Sequence, residues 1–373
     1  MKYEKVTIKE IHIINFKNIE ELNLSFCSGF NCFIGSNGAG KTNILDAIYQ
    51  LSMCKSYFNL SDTQNIRHGE EFFVVQGKYE RDDEEMNVYY GVKRDQKKVF
   101  KKDQKTYTRL SDHIGLLPLV IISPQDVQLI DGSSDGRRKL VDGIISQYDK
   151  EYLHSLISYN KALEQRNALL KSYTGRHLEL DLLEIWDEKL AEHGTPVMQK
   201  RKAFLTEFRE MFQHYYGLLS CGKEQVVMEY QPSVKEEDMR SVLRQNVERD
   251  RILSYTSAGI HRDDIALLLD EYPVKKVGSQ GQKKTFLIAL KLAQYVWLQK
   301  ITQVKPILLL DDIFDKLDTE RVGRIIDIAG QDIFGQVFMT DTNRLHIDEL
   351  LKSQKSEYAL YQVENGKCQN DPI

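Results

Sequence analysis

The sequence predicts a mixed α/β fold, a sheet with helices packed on it, interrupted by a mainly helical insertion. Three observations carry this. Strand-like alternation and short apolar runs occupy both ends of the chain. A glycine-rich turn joins one such run to an amphipathic helix. The middle of the chain repeats its apolar residues at helical spacing.

Residues 7–16 and 21–26 alternate as half-buried strands about a polar turn at Lys17-Asn18, and residues 30–34 form a buried strand. Ile44, Leu45, Ala47, Ile48 and Leu51 then recur as one helix face. Further strands are expected at 72–79 and 87–92, with shorter ones at 99–100 and 106–107. A central one is expected at 118–122, where the run is apolar and β-branched. From about 125 to 254 the pattern turns helical. Leu153, Leu156, Leu163 and Leu170, then Leu183, Trp186 and Leu190, and past Gly194-Thr195-Pro196, Phe204, Phe208 and Phe212 mark a pair of long antiparallel helices. A strand at 265–269, a helix at 280–301, a buried strand at 306–310, a helix at 319–329 and strands at 336–340 and 358–363 restore the α/β pattern. Residues 1–123 and 256–373 therefore read as two parts of one lobe, and 124–255 as the insertion.

The 373 residues hold 51 basic and 55 acidic side chains, a net charge of −4, so any binding to nucleic acid must use a local patch. No apolar run reaches bilayer length, and the first residues lack a secretory apolar segment. Five cysteines (Cys27, Cys32, Cys54, Cys221, Cys368) without a CxxC pair favour reduced thiols over a disulfide framework or a zinc site. A soluble, cytoplasmic protein is expected.

Gly35-Ser36-Asn37-Gly38-Ala39-Gly40-Lys41-Thr42 matches the phosphate-binding pattern G-x-x-x-x-G-K-[ST], with a strand before it and a helix after it. Glycines let backbone N–H groups turn toward phosphate oxygens at a helix start, Lys41 supplies a cation, and the Thr42 hydroxyl ligates Mg²⁺. At the other end of the chain an apolar strand runs into Asp311-Asp312. Two adjacent acids need a compensating cation, which assigns Asp311 to the Mg²⁺ shell and Asp312 to the attacking water. The lysine and the first acid stand 270 positions apart, and the guanine-reading N-K-x-D pattern is missing, so ATP is the expected nucleotide. Ser279, between Gly278 and Gly281 at a helix start, is a second anion-binding device. It makes sense if it completes the site of a second copy, which predicts an ATP-dependent homodimer.

Together these features resemble the ABC-type P-loop ATPase heads of the SMC group, and within it the RecF-like recombination and repair proteins. The resemblance is carried by Asn15-Phe16-Lys17-Asn18, the 35–42 loop with Asn43, Lys55-Ser56-Tyr57, and Ser123-Pro124-Gln125-Asp126. It continues in Gly136-Arg137-Arg138-Lys139-Leu140-Val141-Asp142, Gly259-Ile260-His261-Arg262-Asp263-Asp264, Ser279-Gln280-Gly281-Gln282, and the segment from Leu310 to Asp318. It implies ATP binding, dimerisation on ATP, DNA binding, and recombinase loading at gaps with RecO- and RecR-type partners. It further implies that Ser279 and Gly281 meet the neighbouring subunit's phosphate and that Asp318 lies in a loop at the dimer interface. Gln125 senses Mg²⁺ and water, and Lys17 and Asn18 contact the nucleotide. Phe58 stands where the family often has arginine, and Met339-Thr340-Asp341-Thr342 lacks the switch histidine of transporter heads, so slow hydrolysis is expected. A transporter ATPase subunit or the motor of a defence nuclease complex are the alternative readings.

Residues 93–105 set seven basic side chains against two acidic ones. Lys93, Arg94, Lys97, Lys98, Lys101 and Lys102, with Phe100 and Tyr107 to stack on bases, are the candidate DNA contacts. The runs 137–139 and 200–202 are shorter basic clusters on helices.

Overall fold

The computed structural model describes residues 3–58, 61–172, 180–220, 224–234, 238–313, 323–324, 328, 333–344, 351 and 357–371. Asp318 and most of the helix expected at 319–329 lie outside them. The first stretch runs β1 (Glu4–Phe16), β2 (Ile19–Ser25), β3 (Phe30–Ile34) and α1 (Lys41–Met53), then β4 (Phe72–Arg81), β5 (Glu84–Lys93), β6 (Val99–Lys102), β7 (Lys105–Thr106) and β8 (Leu119–Ile122). There follow α2 (Val127–Asp131), α3 (Ser134–Ser146), α4 (Lys150–Ser172), α5 (Leu180–Ser220), β9 (Val226–Gln231), α6 (Met239–Gln245), α7 (Val247–Leu253), β10 (Asp264–Leu269), β11 (Tyr272–Pro273) and α8 (Val274–Val277). Last come α9 (Gln280–Thr302), β12 (Val304–Lys305), β13 (Ile307–Leu310), β14 (Val337–Asp341), β15 (Tyr358–Glu364) and β16 (Lys367–Asp371). Among the described residues no helix is long and apolar enough to cross a membrane.

The chain divides into two compact units, 1–126 with 288–373, and 127–287. The expected divisions fell at 123/124 and 255/256. The inserted unit thus also holds β10, β11, α8 and the Ser279 segment.

The first unit has two sheets. One has the order β16-β15-β3-β14-β13-β8, parallel except at the β16 edge. Parallel strands buried on both faces read as continuous apolar runs, and all residues of β3, β8, β13 and β14 are buried. The other sheet runs β12-β1-β4-β5-β6-β7, with β2 paired to β1. Helix α1 fills the core with Ile44, Leu45, Ala47, Ile48 and Leu51, together with Ile11, Ile13, Phe73 and Val75 of the second sheet and Phe33, Leu309 and Phe338 of the first.

In the second unit α4 and α5 lie antiparallel: Tyr152 near the start of α4 meets Arg201 far along α5, and Arg166 near the end of α4 meets Asp187 near the start of α5. Helix α5 runs 41 residues straight through Pro196, where the sequence suggested an interruption. Packing along a partner helix outweighs the one lost backbone bond. Strand β9 went unread because its alternation (Val226 and Met228 buried) is short and flanked by helical patterns. It forms a small antiparallel sheet, β11-β10-β9.

The basic clusters at 137–139 and 200–202 are mostly spent inside this unit. Arg201, 2% exposed, pairs with Asp142 at 2.9 Å and Asp263 at 3.1 Å. Arg137 makes a two-pronged pair with Asp264 (2.8 and 2.9 Å), and Arg138 donates to the Asp263 carbonyl at 2.6 Å. Arg166 is fully buried between Asp187 and Asp250, each at 2.6 Å. His261 is buried: its Nε2–H donates to the Thr256 carbonyl (3.0 Å), so its Nδ1 accepts from the Tyr159 hydroxyl (2.8 Å). Burial pushes the His261 pKa down to about 4.

Two outcomes follow. Arg201→Met leaves two buried acids without their cation and should lower the unfolding free energy by about 3–5 kcal/mol. Lys200→Met, which breaks a more exposed pair with Asp149, should cost about 1 kcal/mol or less. Urea titration compares the two, and equal losses would show that burial does not set their worth. The His261 contribution to stability is whole above about pH 6.5 and falls as the pH drops toward about 4, because the unfolded chain takes up the proton first. His261→Gln should flatten that part of the stability curve, read from urea midpoints at about pH 7 and about pH 5.

Candidate nucleotide site

Strands β3, β14, β13 and β8 end at one edge of the parallel sheet, the edge at which ligands bind in such folds. The first of them runs into the 35–42 loop. Gly38 and Gly40 have φ of 81° and 115°, left-handed values that favour glycine. A Cβ at Gly40 would stand 2.9 Å from the Asn18 amide. That amide braces the loop: Asn18 Nδ2 donates to the Ala39 carbonyl (3.2 Å), and Asn18 Oδ1 accepts from Asn43 Nδ2 (2.7 Å). A second brace comes from the β15–β16 turn, Asn365-Gly366, with φ of 49° and 77° as a type I′ hairpin requires. Its Gly366 N–H donates to the same Ala39 carbonyl at 2.8 Å.

Helix α1 begins at Lys41 with no side-chain cap and no acid in its first turn, so its positive end is open to an anion. Lys41 is turned onto the loop itself, donating to the carbonyls of Gly35 (2.6 Å) and Ser36 (2.9 Å). Burial lowers its pKa, opposed by the charges of Asp312, Asp311 and Asp341.

Asp311 is 4% exposed. Its Oδ1 accepts from the hydroxyls of Thr42 (2.8 Å) and Thr340 (3.0 Å), and its Oδ2 from Ser123 (3.4 Å). Burial raises its pKa; these hydroxyls pull it back and the Asp312 charge pushes it further up. Asp312 has a φ of 45°, and its N–H donates to Thr340 Oγ1 at 2.9 Å. Thr340 and Ser123 carried no role in the sequence reading. Each follows a predicted strand, and position at a strand's carboxyl end was the available signal. Among the described residues no cluster of three His, Cys, Asp or Glu stands ready to hold a metal alone. The hard oxygens of Thr42 and Asp311 are instead the set that holds Mg²⁺ together with phosphate and water.

Other expected residues are placed differently. The Lys17 ammonium is 2.6 Å from the buried Asp46 and lies over the rings of Phe16 and Phe58, so it is engaged inside the fold. Asp46 also accepts from Ser56 Oγ and the Tyr57 N–H (2.8 Å each), fastening that segment to α1. Gln125 is exposed, whereas Ser123 and Asp126 on either side of it are turned inward. In the second unit Ser279 and Gln282 form a reciprocal capping box at the start of α9: the Ser279 N–H donates to Gln282 Oε1 (2.7 Å), and the Gln282 N–H donates to Ser279 Oγ (3.2 Å). Ser279 stays exposed.

The basic segment does not form one patch. Lys93, Arg94 and Lys97 are exposed around the β5–β6 turn, beside Phe72, and Lys98 is tied to Asp62 at 3.0 Å. Lys102 pairs with Val88 toward the other end of β6, and Lys101 lies over the Tyr89 ring. The stacking expected of Phe100 and Tyr107 is corrected. Phe100 is 1% exposed in the core, and Tyr107 is half-buried against it with its hydroxyl 3.1 Å from His113 Nδ1.

The family model for the RecF/RecN/SMC N terminal domain matches residues 7–369. A DNA replication and repair protein RecF from Bacteroides thetaiotaomicron is 51% identical over 360 residues, covering 96% of this chain and 97% of its own. Its counterpart from Flavobacterium johnsoniae is 46% identical, covering 95% and 99%. The solved structure of the recombination mediator protein RecF-ATPrS in the RecFOR pathway has a TM-score of 0.89 at 31% identity and covers 100% of both chains. The Smc head domain from Pyrococcus furiosus, solved with an extended coiled coil, has a TM-score of 0.57 at 18% identity over 99% and 96%, a likeness of fold alone. An ABC-type head fold, a phosphate loop facing paired acids and relatives that match from end to end lead to one placement: this chain belongs to the RecF family of DNA replication and repair proteins.

Proposed function

We propose that this chain binds ATP with Mg²⁺ at the 35–42 loop, that two copies close on ATP around DNA, and that slow hydrolysis reopens them. The observation that carries this is the 2.8 Å hydrogen bond from Thr42 to Asp311, which joins the phosphate loop to the acid pair across 269 positions of sequence. Solved relatives named RecF-ATP and RecF-ATPrS of the RecFOR pathway support the nucleotide and a role in recombinational repair and replication restart. RecR- and RecO-type proteins would then be its partners in loading recombinase at gaps.

Lys41 exchanges its two loop carbonyls for β- and γ-phosphate oxygens, and the uncapped start of α1 receives the remaining charge. Thr42 and Asp311 hold Mg²⁺, which when bound offsets phosphate charge. Asp312, fixed by its backbone bond to Thr340, orients the water that attacks the γ-phosphorus and directs its proton, and ADP leaves. Ser279 serves both roles. Its oxygen accepts the capping N–H while its O–H remains a donor for the phosphate of a second copy. Gly281, Asp318 and Gln125 would complete that shared site. Around the β5–β6 turn, Lys93, Arg94 and Lys97 offer a sequence-independent hold on DNA phosphates.

Lys41→Ala should weaken ATP binding by about 10- to 100-fold. Asp312→Asn should still bind ATP and dimerise, with turnover lower by about 100-fold or more. Light scattering with ATP·Mg²⁺, with ADP and without nucleotide checks the dimer. A monomer throughout removes the shared site, and normal turnover removes Asp312 from catalysis. Reversing the charge of Lys97 and Lys101 should weaken DNA binding and reduce its salt slope by about 0.9 for each lost phosphate contact. Unchanged binding would place DNA elsewhere.

A further inference from the structure

Beside the acid pair, in the same unit, sits a buried charge cluster that the steps above do not use. The Lys291 ammonium on α9 is 2.9 Å from Asp126 Oδ1, and the two side chains are 4% and 3% exposed. The Tyr57 hydroxyl donates to the same oxygen at 2.5 Å, and Lys291 Nζ lies 3.5 Å from that hydroxyl. The other carboxylate oxygen, Oδ2, accepts the Ser123 N–H at 2.8 Å. Ser123 in turn directs its hydroxyl to Oδ2 of Asp311 at 3.4 Å. A chain of contacts therefore leads from α9 to the acid opposite Thr42.

We propose that Asp126 and Lys291 are positioning residues for the Mg²⁺ end of the site, acting through Ser123 on the orientation of the Asp311 carboxylate. The inference rests on the nucleotide reading above. Asp311 stands at a strand end, where rotation of its carboxylate would change which oxygen faces Thr42. Thr42 and Thr340 take one oxygen, and Ser123 is the contact on the other. Ser123 is itself fixed by Asp126, and a carboxylate this deeply buried keeps its charge only beside a cation. Lys291 supplies it. Without Lys291, Asp126 takes up a proton and loses one of its acceptor positions, and Ser123 is released. Partners one step removed from a metal ligand hold that ligand's orientation in this way.

The test is binding of a fluorescent ATP analogue, followed by anisotropy as Mg²⁺ is raised, with thermal unfolding measured alongside. In EDTA, Asp126→Asn, Lys291→Met and the double variant should bind nucleotide within about twofold of the parent, because Lys41 and the loop are untouched. The Mg²⁺ concentration at the half-point of the metal-dependent gain should rise by about 10-fold or more in all three. Lys291→Arg, which keeps the cation, should restore most of it. A merely structural pair predicts otherwise: the neutral double variant would match the parent's Mg²⁺ half-point whatever its stability. That result overturns the proposal. If the Asp126 variants do not fold, Ser123→Ala removes only the final hydroxyl and is read the same way, an unchanged half-point again overturning it. A parent protein with no Mg²⁺-dependent nucleotide binding would instead overturn the nucleotide reading, and this inference with it.

Discussion

The burial of the Asp311 carboxylate is the constraint around which the nucleotide unit is organised. A charged group at 4% exposure is stable only where enough donors or a cation meet it. The parallel sheet supplies three hydroxyl donors from different places in the chain: Thr42 after β3, Ser123 after β8 and Thr340 within β14. Strand order decides this. With β14 between β3 and β13, and β8 beyond β13, residues separated by up to 269 positions converge on one carboxylate. The hydroxyls are weaker partners than a cation, and burial still holds the pKa of Asp311 up. The site is therefore built to gain stability when a divalent ion arrives.

The second unit places charge inside for a different purpose. Arg166 and Arg201 lie between helices that would otherwise meet through apolar side chains, and each arginine is shared by two acids from separate segments. Such pairs add little net stability over apolar packing. They do demand one alignment of α4 against α5, because a shift by one turn would strand four buried charges. Asp263 is the junction: its carboxylate takes Arg201, the Tyr230 hydroxyl and the Ser233 N–H.

What was legible in the sequence follows from how local each signal is. Strands β3, β8 and β13 are unbroken apolar runs, and the 35–42 loop is a contiguous pattern, so both could be read directly. Asp311 and Asp312 were visible because they end such a run. The braces were not. Asn18, Asn43 and Gly366 meet only in three dimensions, and Lys17 looked like a nucleotide contact until its buried partner Asp46 appeared. Charge counting over 93–105 likewise ignored pairing register, which sends Phe100 inward and divides the lysines between the two ends of β6. Strand β9 and the unbroken α5 show the same limit, since packing partners, and not their own residues, decide their form.

The hairpin turn that holds the phosphate loop has a bearing on biosynthesis. Gly366 reaches back 327 positions to the Ala39 carbonyl, so the loop's own sequence leaves the ribosome long before its clasp does. Until β3 gains β14 and β15 as neighbours, a nascent chain carries the phosphate-binding pattern without the geometry that makes it bind. Contacts of such long range form late and slowly. Nucleotide capture thus becomes a property of the finished chain, and a truncated product that keeps the motif would not draw on the cell's ATP.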